Sequence, residues 1–203
     1  MLEQAFELEK QLIEWRRDFH RHPELGFNEI RTAKVISEIL MKYGCRVQTG
    51  IGRTGVIGEL GHGSPIIAIR ADMDALPLEE ICHVPYKSMN KGVMHACGHD
   101  AHVAMALGVA HLLAKQDLTG TVRLIFQPAE EVADAEGLSG APRMINDGAM
   151  QGVSAVIALH VSSYLPVGKI EISSGPSSAG VDTFRGVIIG YGGHGSRPHE
   201  TID

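Results

Sequence analysis

The sequence is poor in several things, and each scarcity excludes something. Among its 203 residues there are three cysteines, Cys45, Cys82 and Cys97. A small odd number makes no disulfide framework and suits a reducing compartment. Aromatic residues are only 5%, too few for stacking platforms that bind bases. The net charge is −6, so the basic surface that displaces counterions from nucleic acid is lacking. No apolar run approaches the roughly 20 residues that span a bilayer, so no membrane partner is expected. Residues Met1–Lys10 alternate acidic and apolar side chains and lack the apolar core of a signal peptide. The expected address is therefore cytoplasmic. What remains, 44% hydrophobic and 21% charged, is the composition of a globular chain long enough to bury a core.

The periodicities predict alternating helices and strands. Leu8, Leu12, Trp15 and Phe19 fall on one helical face, and Pro23 ends that helix. A second helix is predicted from an N-cap at Asn28, with Val35, Ile36, Ile39, Leu40 and Tyr43 inward and Gly44 as its stop. Strands are predicted at Arg46–Thr49, Gly55–Leu60 and Pro65–Ala71, the last apolar without alternation and so expected to be covered on both faces. A helix over His99–Lys115 follows, then a strand over Val122–Phe126, a helix over Pro142–Asp147 and a buried strand over Ala155–Leu159. Strand-like segments at Lys169–Ile172 and Phe184–Ile189 close the chain. This order predicts α/β layers around a parallel or mixed sheet.

Residues able to do chemistry gather where strands end, which is where α/β sheets bind ligands. Cys97 and His99, separated by one glycine, offer a soft thiolate and an imidazole ahead of a helix whose N-terminal dipole favours the thiolate. Cys-x-His alone is a weak signal. Its setting in Met94–His102, with three histidines and an aspartate, strengthens it. Glu130 and Glu131 follow an apolar strand directly, so one can bind metal while the other takes a proton from water. A solvated acidic loop is the plainer alternative. His160 ends another apolar strand, although a lone histidine there is more often a hydrogen-bonded core residue. Asp72 and Asp74, two apart on an extended segment, can bind metal, orient a ligand histidine or cap a turn. Gly190–His199 reads as a functional loop.

The segments Arg16–Phe27, Asp72–Pro77, Met94–His102, Gln127–Glu131 and Gly192–His199 together resemble the aminoacylase-like metallopeptidase family. Its nearest branch holds hippurate hydrolase, indole-acetyl-amino-acid hydrolases and N-acetyldiaminopimelate deacetylase. The resemblance covers essentially the whole chain. It implies a three-layer α/β/α zinc-peptidase-like catalytic domain over residues 1–181. The start of a smaller α+β lid and dimerisation domain would occupy residues 182–203. It implies two divalent ions (zinc, manganese, cobalt or nickel) on Cys97, His99, Glu131 and His160, with Glu130 as general base and Asp72 and Asp74 as the acidic pair beside them. Gly193 and His194 match the lid residues that touch substrate, often across a dimer interface, so a homodimer is expected of the full-length form. The implied reaction is hydrolysis of the amide bond of small N-acyl amino acids. Family members run to nearly twice this length and carry one further ligand histidine. An inactive or split fragment with a partial metal site is therefore one alternative. A thiol hydrolase using Cys97 is another. The acidic stretch Val132–Gly140 is longer than the glycine-rich loop of many relatives.

Overall fold

In the computed structural model the description covers residues 1–176, 180, 184–187 and 189–202. The chain divides into two compact units, Met1–Ser162 and Ser163–Asp203.

The first unit is built on five strands: β1 (Arg46–Ile51), β2 (Gly55–His62), β3 (Ile66–Asp72), β4 (Gly120–Gln127) and β5 (Val153–Ala158). Their spatial order is β1-β2-β4-β3-β5. β2 runs antiparallel to β1 and β4, whereas β3 runs parallel to β4 and β5. The mixed α/β sheet expected from the sequence is thus present. Alternation along β4 divides its side chains between two cores. Leu124 and Phe126 join Ile36, Leu40, Val103 and Leu107 on the helical side. Ile125 joins Ile57, Ala68, Met144 and Ala149 on the other.

Helices α2 (Glu9–Arg21), α3 (Ile30–Lys42) and α4 (His99–Leu113) cover the first face, while the short α5 (Gly140–Asn146) lies over the second. The first predicted helix is α2, and a separate short helix precedes it. A break at Leu8 separates α1 (Leu2–Glu7) from α2. α3 is capped differently from the expectation at Asn28. Glu29 is its N-cap residue, and Glu24 from the preceding loop accepts from the backbone N–H groups of Arg31 and Thr32. A carboxylate that takes two orphan donors at a helix N-terminus outcompetes an asparagine side chain. Gly44 ends α3 as expected, at φ +77°.

The expected buried strand at Ala155–Leu159 is instead an edge. Among the described residues β5 pairs with β3 alone, ends at Ala158 and leaves Val156 and Ile157 about half exposed. An apolar run reveals extended backbone but not how many neighbours it acquires. Lys169–Ile172 form no ladder either. Their side chains are exposed, and no described strand lies beside them to take their N–H and C=O groups. In the Phe184–Ile189 segment Ile188 lies outside the described residues, and the others are exposed without strand pairing. The second unit has one bridge, Tyr191 to Ile202, and a 3-10 turn at Pro198–Glu200 among its described residues. Among the described residues no helix is long and apolar enough to cross a membrane.

Candidate metal centre

The C-terminal ends of β3, β4 and β5 converge on the start of α4. Register makes this so: Asp72 at the end of β3 is paired with Gln127 at the end of β4. Both strands therefore release their next residues, Asp74 and Glu130–Glu131, at one level. Gly98 begins α4 at φ +83°, and a Cβ there would collide with the Val161 side chain. Only glycine suits both the backbone and the space. It lets Cys97 and His99 face the strand ends from one turn.

His99 is fully buried. Its Nδ1 donates to the Asp74 carbonyl (2.9 Å) and lies 3.1 Å from Asp74 Oδ1. In the neutral ring that leaves the Nε2 lone pair free, and Nε2 has no hydrogen-bond partner among the described residues. It faces Asp72 Oδ2 at 3.6 Å and Glu131 Oε1 at 3.8 Å. A buried nitrogen acceptor surrounded by carboxylate oxygens is where a cation belongs. Burial works against protonating His99, but Asp74, Asp72 and Glu131 outweigh it and hold its pKa above the usual value.

His160 donates from Nδ1 to the Val161 carbonyl (2.6 Å) and turns Nε2 toward Cys97 Sγ, 3.5 Å away. Two sets of donor atoms each lie within 4.8 Å of one another: Cys97, His99 and His160; and His99, Glu130 and Glu131. His99 belongs to both. A third set, Asp72 with His99 and His102, is less open. His102 Nδ1 donates to Asp72 Oδ1 (2.5 Å), and its Nε2 accepts from the Val161 backbone (3.0 Å), so both ring nitrogens are used.

The carboxylates divide into two kinds. Burial alone would raise the pKa of Asp72, but the bond from His102 and the charges of His99 and Arg70 pull it down to about 2. Arg70 lies two residues earlier on the same strand face and reaches Asp72 at 2.6 Å. Glu130 moves the other way: burial, Glu131 and Asp72 hold its carboxyl above the usual range. The dipole argument for a Cys97 thiolate fails here. Burial, a bond to Glu131 and the charges of Glu131, Asp72 and Glu130 push the thiol up to about 12. Burial and three carboxylates outweigh one helix terminus. The site stays short of positive charge until a cation enters, and its sulfur, nitrogen and oxygen donors fit a divalent transition metal.

Two supporting groups have partners that periodicity and local spacing do not reveal. Asp100, next to His99, accepts from Arg16 Nε (2.8 Å) and His20 Nδ1 (2.7 Å), tying the first turn of α4 to α2. The acidic stretch Val132–Gly140 is closed around Asp134, which accepts from Arg53 and Arg143. His102 did have a signal, since it stands three residues after His99 on one helix face. Of the remaining predicted site residues, His194 and Gly193 lie in the second unit. There His194 Nδ1 pairs with Ser196 Oγ at 2.8 Å.

A mixed α/β sheet that gathers thiol, imidazole and carboxylate donors beyond its strand ends defines a metallohydrolase type of site. The chain belongs to Peptidase family M20/M25/M40, which its residues 68–199 match. It is 50% identical over 202 residues to thermostable carboxypeptidase 2 of Saccharolobus solfataricus, covering 97% of this chain and 51% of that protein. It is 45% identical to N-acetylcysteine deacetylase of Bacillus subtilis over 208 residues, covering 100% of this chain and 53% of that protein. The fold is similar to a crystal structure of the Bacillus subtilis YXEP protein, described as a dinuclear metal binding peptidase from the M20 family. That match has a TM-score of 0.75 at 45% identity and covers 82% of this chain and 47% of that one. The chain thus spans about half the length of the curated relatives it matches.

Proposed function

We propose that this chain carries the metal-binding part of an M20 amidohydrolase that cleaves the amide bond of small N-acyl amino acids, hippurate-like compounds among them. The observation that carries the reading is the orphaned Nε2 of His99, aimed at carboxylate oxygens and shared by two donor sets. Cys97, His99, Glu131 and His160 would hold two divalent ions. A divalent cation supplies Lewis acidity and makes water a usable nucleophile near neutral pH. The rest is work for the protein. Asp74 fixes the His99 ring through Nδ1. Asp72, held ionised by Arg70 and His102, keeps the second carboxylate charge beside the donors. Glu130, with its raised pKa, takes the proton of the attacking water and returns it to the leaving amine. His194 and Gly193 would touch the substrate from a lid domain beginning at residue 182, after a catalytic segment of 1–181, and the full-length protein would be a cytoplasmic homodimer. Relatives named as an N-acyl-L-amino acid amidohydrolase of Geobacillus stearothermophilus and as IAA-amino acid hydrolases of Arabidopsis thaliana support the substrate class.

The Cys97–His160 contact also suits a thiol nucleophile with an imidazole base. A thiol pushed up to about 12 by burial and surrounding carboxylates opposes that second reading. One experiment separates the two. The chain is loaded with zinc, manganese, cobalt or nickel, desalted, and assayed against a panel of N-acyl amino acids with and without chelator. Metal-dependent turnover that Glu130→Gln abolishes while metal content stays unchanged is the expected result. Turnover that survives chelation and falls to alkylation would establish the thiol enzyme. Bound metal with no turnover would make this chain an incomplete half.

A further inference from the structure

The segment Glu24–Glu29 overlaps the end of the Arg16–Phe27 motif and runs two residues past it, and none of its side chains belongs to the donor sets. Its contacts show why it is placed where it is. The Glu24 carbonyl accepts from Ala75 N (2.8 Å), immediately after Asp74, and Leu25 bridges Ala75. A Cβ on Gly26 would meet Val132 at 2.5 Å and Ala129 at 3.0 Å, so this loop packs directly on the turn bearing Glu130 and Glu131. Glu29 completes the contact. Its side chain is fully buried, accepts from Thr54 Oγ1 (2.5 Å) and accepts from the backbone N–H of Ala129 (2.8 Å).

Ala129 has φ +43°, a region that side-chain-bearing residues rarely adopt. Its conformation must be imposed from outside. Two other bonds help: Gly140 N donates to Ala129 O (2.9 Å), and Glu131 N donates to Asp74 Oδ2 (3.0 Å). Among the described residues only the Glu29 bond satisfies the buried Ala129 N–H.

We infer that Glu29 is a positioning residue. By accepting from Ala129 N–H, it holds the 128–131 turn in its left-handed conformation and so sets the directions in which Glu130 and Glu131 leave the backbone. It belongs to none of the candidate donor sets. Burial raises its pKa against the lowering effect of its bonds to Thr54 and Ala129, and a glutamine in its place keeps one oxygen that can accept from Ala129 N–H. The consequence for metal binding rests on the metallohydrolase reading above, whereas the hold on the turn does not.

The test uses the full chain with Glu29→Ala, Glu29→Gln and Thr54→Val. Hydrogen exchange is followed in a peptide covering residues 126–133, with peptides from β3 and α4 as references. Glu29→Ala should speed exchange in that peptide by about tenfold or more and leave the references unchanged, because a buried N–H loses its acceptor. Glu29→Gln retains an acceptor oxygen and should behave like the parent chain, with Thr54→Val in between. Unchanged exchange in Glu29→Ala, an equal rise everywhere, or a glutamine variant as fast as the alanine one would overturn the inference. If Glu29→Ala does not fold, Thr54→Val decides: no local rise overturns it. The ligand-field spectrum of the cobalt-loaded chain reads the consequence. It should change in Glu29→Ala and recover in Glu29→Gln, and an unchanged spectrum in Glu29→Ala would refute the link to Glu131. A parent chain that takes up no cobalt would sink the metallohydrolase reading, and exchange would still decide the role of Glu29.

Discussion

The ends of β4 and β5 deliver their candidate ligands under opposite conditions. β4 is central, paired on both sides, and the turn after it is held at Ala129 N, Ala129 O and Glu131 N. β5 is an edge with one partner, and His160 beyond it is exposed, oriented by its own neighbour's carbonyl and by Cys97. One side of the candidate centre is therefore built into the core and the other rests on its rim. Coupling between metal binding and folding should follow this division. A change behind β4 should disturb fold and site together. A change at His160 should disturb the site alone.

The largest expected effect comes from Gly140→Ala. A Cβ there would collide with the Pro128 carbonyl, backbone against which nothing can rotate away. A loss of about 3 kcal/mol in denaturant-derived stability is expected, in the range of overpacked cores. A change below about 0.5 kcal/mol, the usual size for surface substitutions, would show the β4 turn to be looser than described.

Acid should act next. Asp72 has a folded pKa of about 2, below its ordinary 3.8. A depressed carboxylate contributes stability that is present above its unfolded pKa and lost as pH falls through the folded one. The contribution is on the order of 2 kcal/mol and should disappear between about pH 4 and pH 2. Asp72→Asn should flatten that part of the acid-unfolding curve, measured by circular dichroism. Parallel curves for the two proteins would remove Asp72 from the account.

The smallest effect on the fold belongs to His160→Ala. Stability should change by no more than about 0.5 kcal/mol, as at other exposed positions, while metal affinity drops. A variant that unfolded as readily as Gly140→Ala would erase the contrast between the two strand ends.

Much of this is legible in the sequence alone. Leu124–Phe126 and Ile66–Ile69 mark strands by their apolar runs, and Gly98, Gly44 and the stripe Ile36–Leu40 mark helix limits and faces. The candidate donors were legible because they stand just past apolar runs. What periodicity does not carry is a partner far along the chain. The capping of α3 by Glu24, the exposure of β5, and the bonds of Glu29 to Thr54 and Ala129 depend on residues brought together by the fold, as does the anchoring of Asp100 by Arg16 and His20. The raised thiol pKa of Cys97 belongs here too, because Glu131 and Asp72 are remote from it in sequence.

The most direct measurement is uptake of cobalt by the purified chain after loading and desalting, read by elemental analysis and by the thiolate-to-cobalt charge-transfer band. Retained cobalt is expected, with a band that Cys97→Ser removes and His99→Ala weakens together with the metal content. A chain that retains no cobalt, or a band indifferent to Cys97, would contradict the metal-centre reading.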